Sequence, residues 1–239
     1  TVFTYKKEDV KLNAASTVRI TGEYCKVKNL TMEDLTKTLV SDSVGDTTVN
    51  EKPAVVEETK IVDNTKVEST VVNNMENTIK KNIEVVTNNS TALTPEIVTA
   101  MKEKDKNVTI GVVDETNKLQ YSWTFKGDDI NTVSKPIDLS LTFATKKQQE
   151  VEAITGQKNT VYLSFGYHGE LPGEATMRTY VGDKYKNGER IYLYYYNEET
   201  GKVEAAGGKA LEVKEGYVEF SITHCSVYFL TDDIFNSIE

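Results

Sequence analysis

Near the end of the chain, in FSITHCSVYFLTDD (Phe220 to Asp233), one of only two histidines stands beside one of only two cysteines and a serine. A serine hydroxyl becomes a nucleophile when a base lies next to it, so His224-Cys225-Ser226 is a candidate catalytic group. The same triplet has an architectural reading. Continuing the alternation of Val218, Phe220 and Ile222 brings His224, Ser226, Tyr228 and Leu230 to one inner face, where a histidine is more often a hydrogen-bonded core residue than a base. The other histidine, His168, lies in the Gly/Pro-rich FGYHGELPG, with Glu170 placed to orient it; a solvated turn is its simplest setting. No Gly-x-Ser-x-Gly elbow, phosphate-binding glycine loop or His-Glu-x-x-His occurs. Acidic pairs such as Asp128-Asp129 and Asp232-Asp233 lack the alternating spacing of a calcium loop. We therefore expect no catalytic residue, no metal site and no cofactor.

The residues most suited to contact are aromatic. In ERIYLYYYNEE, Ile191, Leu193 and Tyr195 share one face of a strand and Tyr192, Tyr194 and Tyr196 share the other. An outward stripe of three tyrosines would stack on sugar rings or grip a partner strand, which makes these three the candidate ligand-binding residues. A helix laid across the same face would instead bury the rings as a second core. Both outcomes are open at this level.

The elements that position these residues read as mostly β. Leu119, Tyr121, Trp123 and Phe125 alternate with polar neighbours, as do Ile137, Leu139, Leu141 and Phe143. Val161 to Phe165, Ala175 to Val181, Ile191 to Tyr195 and Val218 to Ile222 continue the pattern. Period-two alternation means one buried and one polar face per strand, which suits antiparallel sheets. Short polar loops (DETNK, GDKYKNG, NEETGK, KEG) separate the strands in hairpin fashion. Three helices are expected: one opening at Thr31, one over Val71 to Lys81, and one from Pro95 to about Lys102 with Thr94 as its cap. Ile83 to Val86 forms a strand between the last two. The fold class is mainly β with a few short helices (α+β), antiparallel and β-sandwich-like. Residues 1–64 read as an N-terminal portion ending in a connection from Ser41 to Asn64, and residues 65–239 as the sandwich-like domain.

Composition bounds the partners. In 239 residues the net charge is −9, and no Lys/Arg run offsets it, so nucleic acid is excluded as an expected partner. No apolar run approaches the roughly 18 residues of a membrane span. Cys25 and Cys225 are too few for a disulfide framework or a zinc cage; they form either one long-range bridge or two separate thiols.

Four segments taken in order, Leu93 to Ile130, Gly169 to Tyr185, Leu193 to Glu204 and Phe220 to Asp232, resemble a domain of secreted and cell-surface proteins of Gram-positive anaerobes, over roughly residues 65–233. The resemblance implies an exported or envelope-associated, mainly β protein and brings no assigned chemistry. Together with the tyrosine stripe it suggests a non-catalytic binding or structural module, secreted or at the cell surface. Its partner would be a neutral polysaccharide or an extended peptide of the envelope or host. A second similarity concerns the end of the chain: His-x-Ser in a terminal strand looks like the cleavage site of adhesion-receptor autoproteolysis domains. That similarity would make His224 the base, Ser226 the nucleophile and Cys225–Ser226 the bond cut, although Cys stands where those domains carry a large apolar residue.

Overall fold

The computed structural model describes residues 60–156 and 159–235. Cys25, the helix expected at Thr31 and most of the Ser41–Asn64 connection lie outside them.

Two crossovers come first. Strand β1 (Ile61–Val62) leads through helix α1 (Val67–Asn77) to β2 (Asn82–Thr87); β2 leads past the short β3 (Ala92–Leu93) and through helix α2 (Pro95–Lys104) to β4 (Asn107–Val113). Each helix returns the chain to the end at which it started, so β1 pairs with β2 and β2 with β4 in parallel. The Thr94 hydroxyl caps α2 by accepting from the Ile97 amide at 3.3 Å, with Pro95 at the first helical position; Asp105 ends the helix at φ 50. The buried stripes Val67, Val71, Met75 of α1 and Ile97, Val98, Met101 of α2 join Ile83, Val85, Val108 and Ile110 in one core. Lys106, 9% exposed, donates from its ammonium to the carbonyls of Thr78 (3.1 Å) and Lys80 (2.7 Å). It places a cation at the carbonyl end of α1, where the helix dipole favours one.

The rest of the chain is antiparallel. β5 (Leu119–Phe125) forms a hairpin with β4, held by the Asp114 carboxylate, which accepts from the amides of Thr116 (2.8 Å) and Lys118 (3.1 Å). There follow β6 (Ile137–Asp138), β7 (Leu141–Thr142), helix α3 (Gln148–Thr155), β8 (Thr160–Tyr180), β9 (Arg190–Asn197), β10 (Lys202–Ala205), β11 (Leu211–Glu212) and β12 (Tyr217–Thr231). The large sheet runs β1-β2-β4-β5-β8-β12-β9-β10, with β7 joined to β8 and β11 to β9; β3 and β6 pair separately. The described residues are thus mainly β with three helices, an α+β fold. The main chain pairs as one large mixed sheet, not as a purely antiparallel one, because two strand-to-strand connections pass through helices. No helix among the described residues is long and apolar enough to cross a membrane.

The stretch expected as one strand from Ile137 to Phe143 serves two sheets. Ile137 pairs with Leu93, and Leu141 pairs with Phe165. Ile137, Leu139 and Leu141 are buried, but Phe143 is 39% exposed.

Two long strands decide the shape. The 21 residues of β8 lie opposite the 15 of β12, and their register breaks between Ile222 and His224 and again between Cys225 and Val227. On one side of the breaks Tyr217–Ile222 pair with the Ala175–Tyr180 part of β8, on which β5 docks. On the other side Val227–Thr231 pair with the Thr160–Ser164 part, and β9 docks on β12. A straight strand would hold Met177 and Phe165 about 40 Å apart. Trp123, the ladder partner of Met177, nevertheless has its ring 5.3 Å from that of Phe165, which lies 5.8 Å from Tyr228. β8 therefore doubles over between Gly166 and Gly173. Glycine is required there: Gly169 has φ 135, and a Cβ on Gly173 would lie 2.6 Å from the Asp129 carbonyl oxygen.

Candidate functional site

His224-Cys225-Ser226 is the corner of β12, between its two register breaks. The breaks shift the alternation. Cys225 enters the core at 4% exposure, and Tyr228 and Leu230 rejoin it as expected. His224 and Ser226, expected on the inner face, are only half-buried. The His224 ring meets Tyr195 edge-on at 5.3 Å, and its two nitrogens lie 3.2 and 3.3 Å from the Tyr228 hydroxyl, which donates to the His224 carbonyl at 3.0 Å. The Ser226 hydroxyl donates to the Tyr196 carbonyl at 3.4 Å. Base and hydroxyl have different partners. Nearby, the Tyr195 hydroxyl donates to Glu204, which lowers the pKa of that carboxyl and raises that of the phenol; the Asn197 amide also donates to Glu204, at 2.9 Å. Glu170 lies opposite His224 in the ladder. His168 is exposed, on the rim of a separate shallow concavity with Lys146, Lys147 and Glu198.

Burial pushes the Cys225 thiol up to about 12, so it stays protonated at neutral pH and is a poor nucleophile. Cys225 is a free thiol. Iodoacetamide at pH 8 is expected to leave Cys225 unmodified in the native protein and to alkylate it in denaturant. The same mass spectra should show a chain intact across Cys225–Ser226. Rapid native labelling at Cys225 would contradict the burial, and a fragment beginning at Ser226 would restore self-cleavage.

The tyrosine stripe has the expected parity, and burial is the outcome. Tyr194 is 3% and Tyr196 7% exposed, while Tyr192 is half-buried at the margin. They join Tyr162, Val203, Val227 and Phe229 in a second core under Val151 and Ile154 of α3 and under Phe235. Tyr194 stacks on Phe229 at 5.5 Å and meets Phe235 edge-on at 5.1 Å; its hydroxyl accepts from the Phe235 amide at 2.8 Å. Two of the three rings read as a binding face therefore have no surface to offer a ligand. The covering helix α3 was not legible in the sequence, because it buries only Val151 fully.

Among the described residues the open face lies on the other part of the sheet, where β2, β4, β5 and the Ala175–Tyr180 end of β8 pair in order with Tyr217–Ile222 of β12. Its inner residues Val85, Ile110, Trp123, Met177 and Phe220 belong to the main core, and its outer face forms a shallow concavity of about 890 Å³. Two rows cross the strands there. The first is Glu84, Thr109, Thr124, Thr176 and Ser221; the second is Val86, Gly111, Ser122, Arg178 and Glu219, each residue the ladder partner of the next. Thr109 and Thr124 share a hydroxyl–hydroxyl bond of 2.9 Å. Gly111 keeps the floor low: a Cβ there would lie 3.0 Å from Leu119 Cδ1. Arg178 lies 3.7 Å from a Glu219 oxygen and 3.9 Å from Glu215, with its guanidinium 4.1 Å from the Tyr217 ring centre. At the same end the Lys118 ammonium sits 3.3 Å over Tyr180. Among the described residues no helix lies over this face. The signal was present in the sequence as the polar half of each alternation (Thr109, Ser122, Thr124, Thr176, Arg178), but only the pairing order assembles those residues into one surface.

No family model matches this chain, and no curated protein or solved structure matches it either.

Proposed function

We propose that this protein is a non-catalytic module, secreted or at the cell surface of a Gram-positive bacterium, that holds a neutral polysaccharide on the concave outer face of its sheet. The observation that carries the reading is a concavity that no helix of the described residues covers, with a hydroxyl-rich floor and balanced charge: Lys60 and Arg178 against Glu84 and Glu219. Hydroxyls donate and accept as sugar hydroxyls do, and a lining with equal opposite charges favours an uncharged polymer over an anionic one. An extended peptide suits the face less well. The main-chain groups of β2, β4, β5, β8 and β12 already pair with one another there, and added strands dock at sheet edges.

In the same reading the fold is sandwich-like, its half-sheets packed face to face through Trp123, Phe165 and Tyr228. One outer face then belongs to α3 and the other to the ligand, and His224-Cys225-Ser226 is a structural corner without catalytic duty.

Thr124→Trp tests the site, since Thr124 is half-buried on the outer face and an indole there fills the concavity while leaving the core alone. The natural chain should be retained on the neutral polysaccharide fraction of Gram-positive cell walls. Thr124→Trp should lose about tenfold or more in affinity, roughly 1.4 kcal/mol, with little change in melting temperature. No retention of the natural chain, or equal retention of a folded Thr124→Trp, overturns the proposal.

A further inference from the structure

We infer that helix α3 is a cover that opens by itself, without unfolding the sheet beneath it, and so bares the rings of Tyr162 and Tyr196 in a minor population of the native protein. The inference concerns the second core and does not depend on the ligand proposed above.

The core under α3 shares no residue with the main core. The strands that floor it are held from both sides by ladder bonds. Val227–Thr231 of β12 pair with β8 on one side and with β9 on the other, and β9 pairs in turn with β10. A helix lying on a sheet face takes no part in those ladders, so lifting α3 breaks none of them. Its apolar seat is narrow. Val151 is fully buried, and Ile154, one turn on, is partly buried against the same core.

A polar latch holds the first turn. The Lys147 ammonium lies 2.9 Å from a Glu150 carboxylate oxygen and 3.9 Å from Glu198, just beyond β9. The Tyr196 hydroxyl meets the Glu150 carboxylate as a donor, and further along the helix the charge of Glu152 reaches Tyr162. α3 therefore stands over these two rings. Exposed ion pairs of this kind contribute little. A helix of eight residues without a side-chain cap is also marginal once it leaves its seat, since isolated helices need roughly 12–15 residues. Opening costs the seat and the latch, whereas unfolding costs both cores and every ladder.

A thiol placed beneath the helix tests the inference. Val227→Cys changes the volume little at a position 3% exposed in the second core, and Cys225 in the main core is the control within the same chain. The full chain is treated with iodoacetamide under native conditions, and fragment mass spectra assign the label to one position or the other. The thiol of Val227→Cys should react about 100-fold or more faster than Cys225, because the first needs only local opening. Adding Glu150→Ala should raise that rate roughly threefold and adding Val151→Ala about tenfold, with Cys225 unchanged. Alanine is the better helix former at both positions, so neither change weakens the helix itself. Melting temperatures confirm that each variant stays folded. Equal rates at the two thiols, or a rate at Val227→Cys that neither added substitution changes, would overturn the inference.

Discussion

Tyr194→Ala is expected to destabilise the protein by about 3–5 kcal/mol, the cost of an aromatic-to-alanine cavity in a packed core. Tyr194 is 3% exposed, with Phe229 stacked on one side and Phe235 edge-on. Little backbone slack is available to refill the space, because β9 is paired with β12 on one side and β10 on the other. The loss also frees the Phe235 amide that the hydroxyl now receives. Tyr194→Phe separates the two contributions: it keeps the ring and should cost about 1 kcal/mol, the usual value of one hydrogen bond. Thermal melts should show a shift of roughly 10 °C for the alanine variant. A stable, folded Tyr194→Ala would mean that the ring is uncovered in solution and would return the stripe to the list of binding surfaces.

Trp123→Ala should be at least as damaging, again about 3–5 kcal/mol, with a specific signature. The indole is 1% exposed and donates from Nε1 to the Leu139 carbonyl at 3.0 Å. It stacks with Phe125 at 5.9 Å on its own strand and meets Phe165 at 5.3 Å on the far part of β8. Losing it leaves a cavity beside Phe125 and Phe165 and leaves the Leu139 carbonyl without its donor. Because the two rings share one contact, Trp123→Ala and Phe165→Ala should not be additive; a double-mutant cycle should give a coupling of roughly 0.5–3 kcal/mol. Strict additivity would show that the halves do not depend on one another through this pair.

Much of the strand content was legible because each alternating segment has one wet face. That same clarity concealed the parallel strands. Parallel strands are commonly covered on both faces and read as continuous apolar runs. Here α1 and α2 cover only one face of β2 and β4, so β2 keeps the alternation of an antiparallel strand, with Ile83 and Val85 buried and Glu84 exposed. The helical cue at Thr94-Pro95 is local, and it placed α2 correctly. α3 has no comparable cue, since Lys147 gives it no side-chain cap.

The amino-acid order by itself determined the parity of β5, of β9 and of the Tyr217–Ile222 part of β12, the α+β class, the cap of α2 and the opposition of Tyr192, Tyr194 and Tyr196 to Ile191, Leu193 and Tyr195. These depend on neighbours one to four residues apart. Tertiary structure alone decided which face of the tyrosine strand is covered, where β8 and β12 bend, and which threonines form a row. At the corner it moved Cys225 inward and left His224 half-buried, because the surplus residues of β8 break the ladder on either side. The physical reason is the same in each case. Period-two patterning says that a face is buried but not against what, and a bulge or a covering helix is set by contacts between residues far apart in the chain.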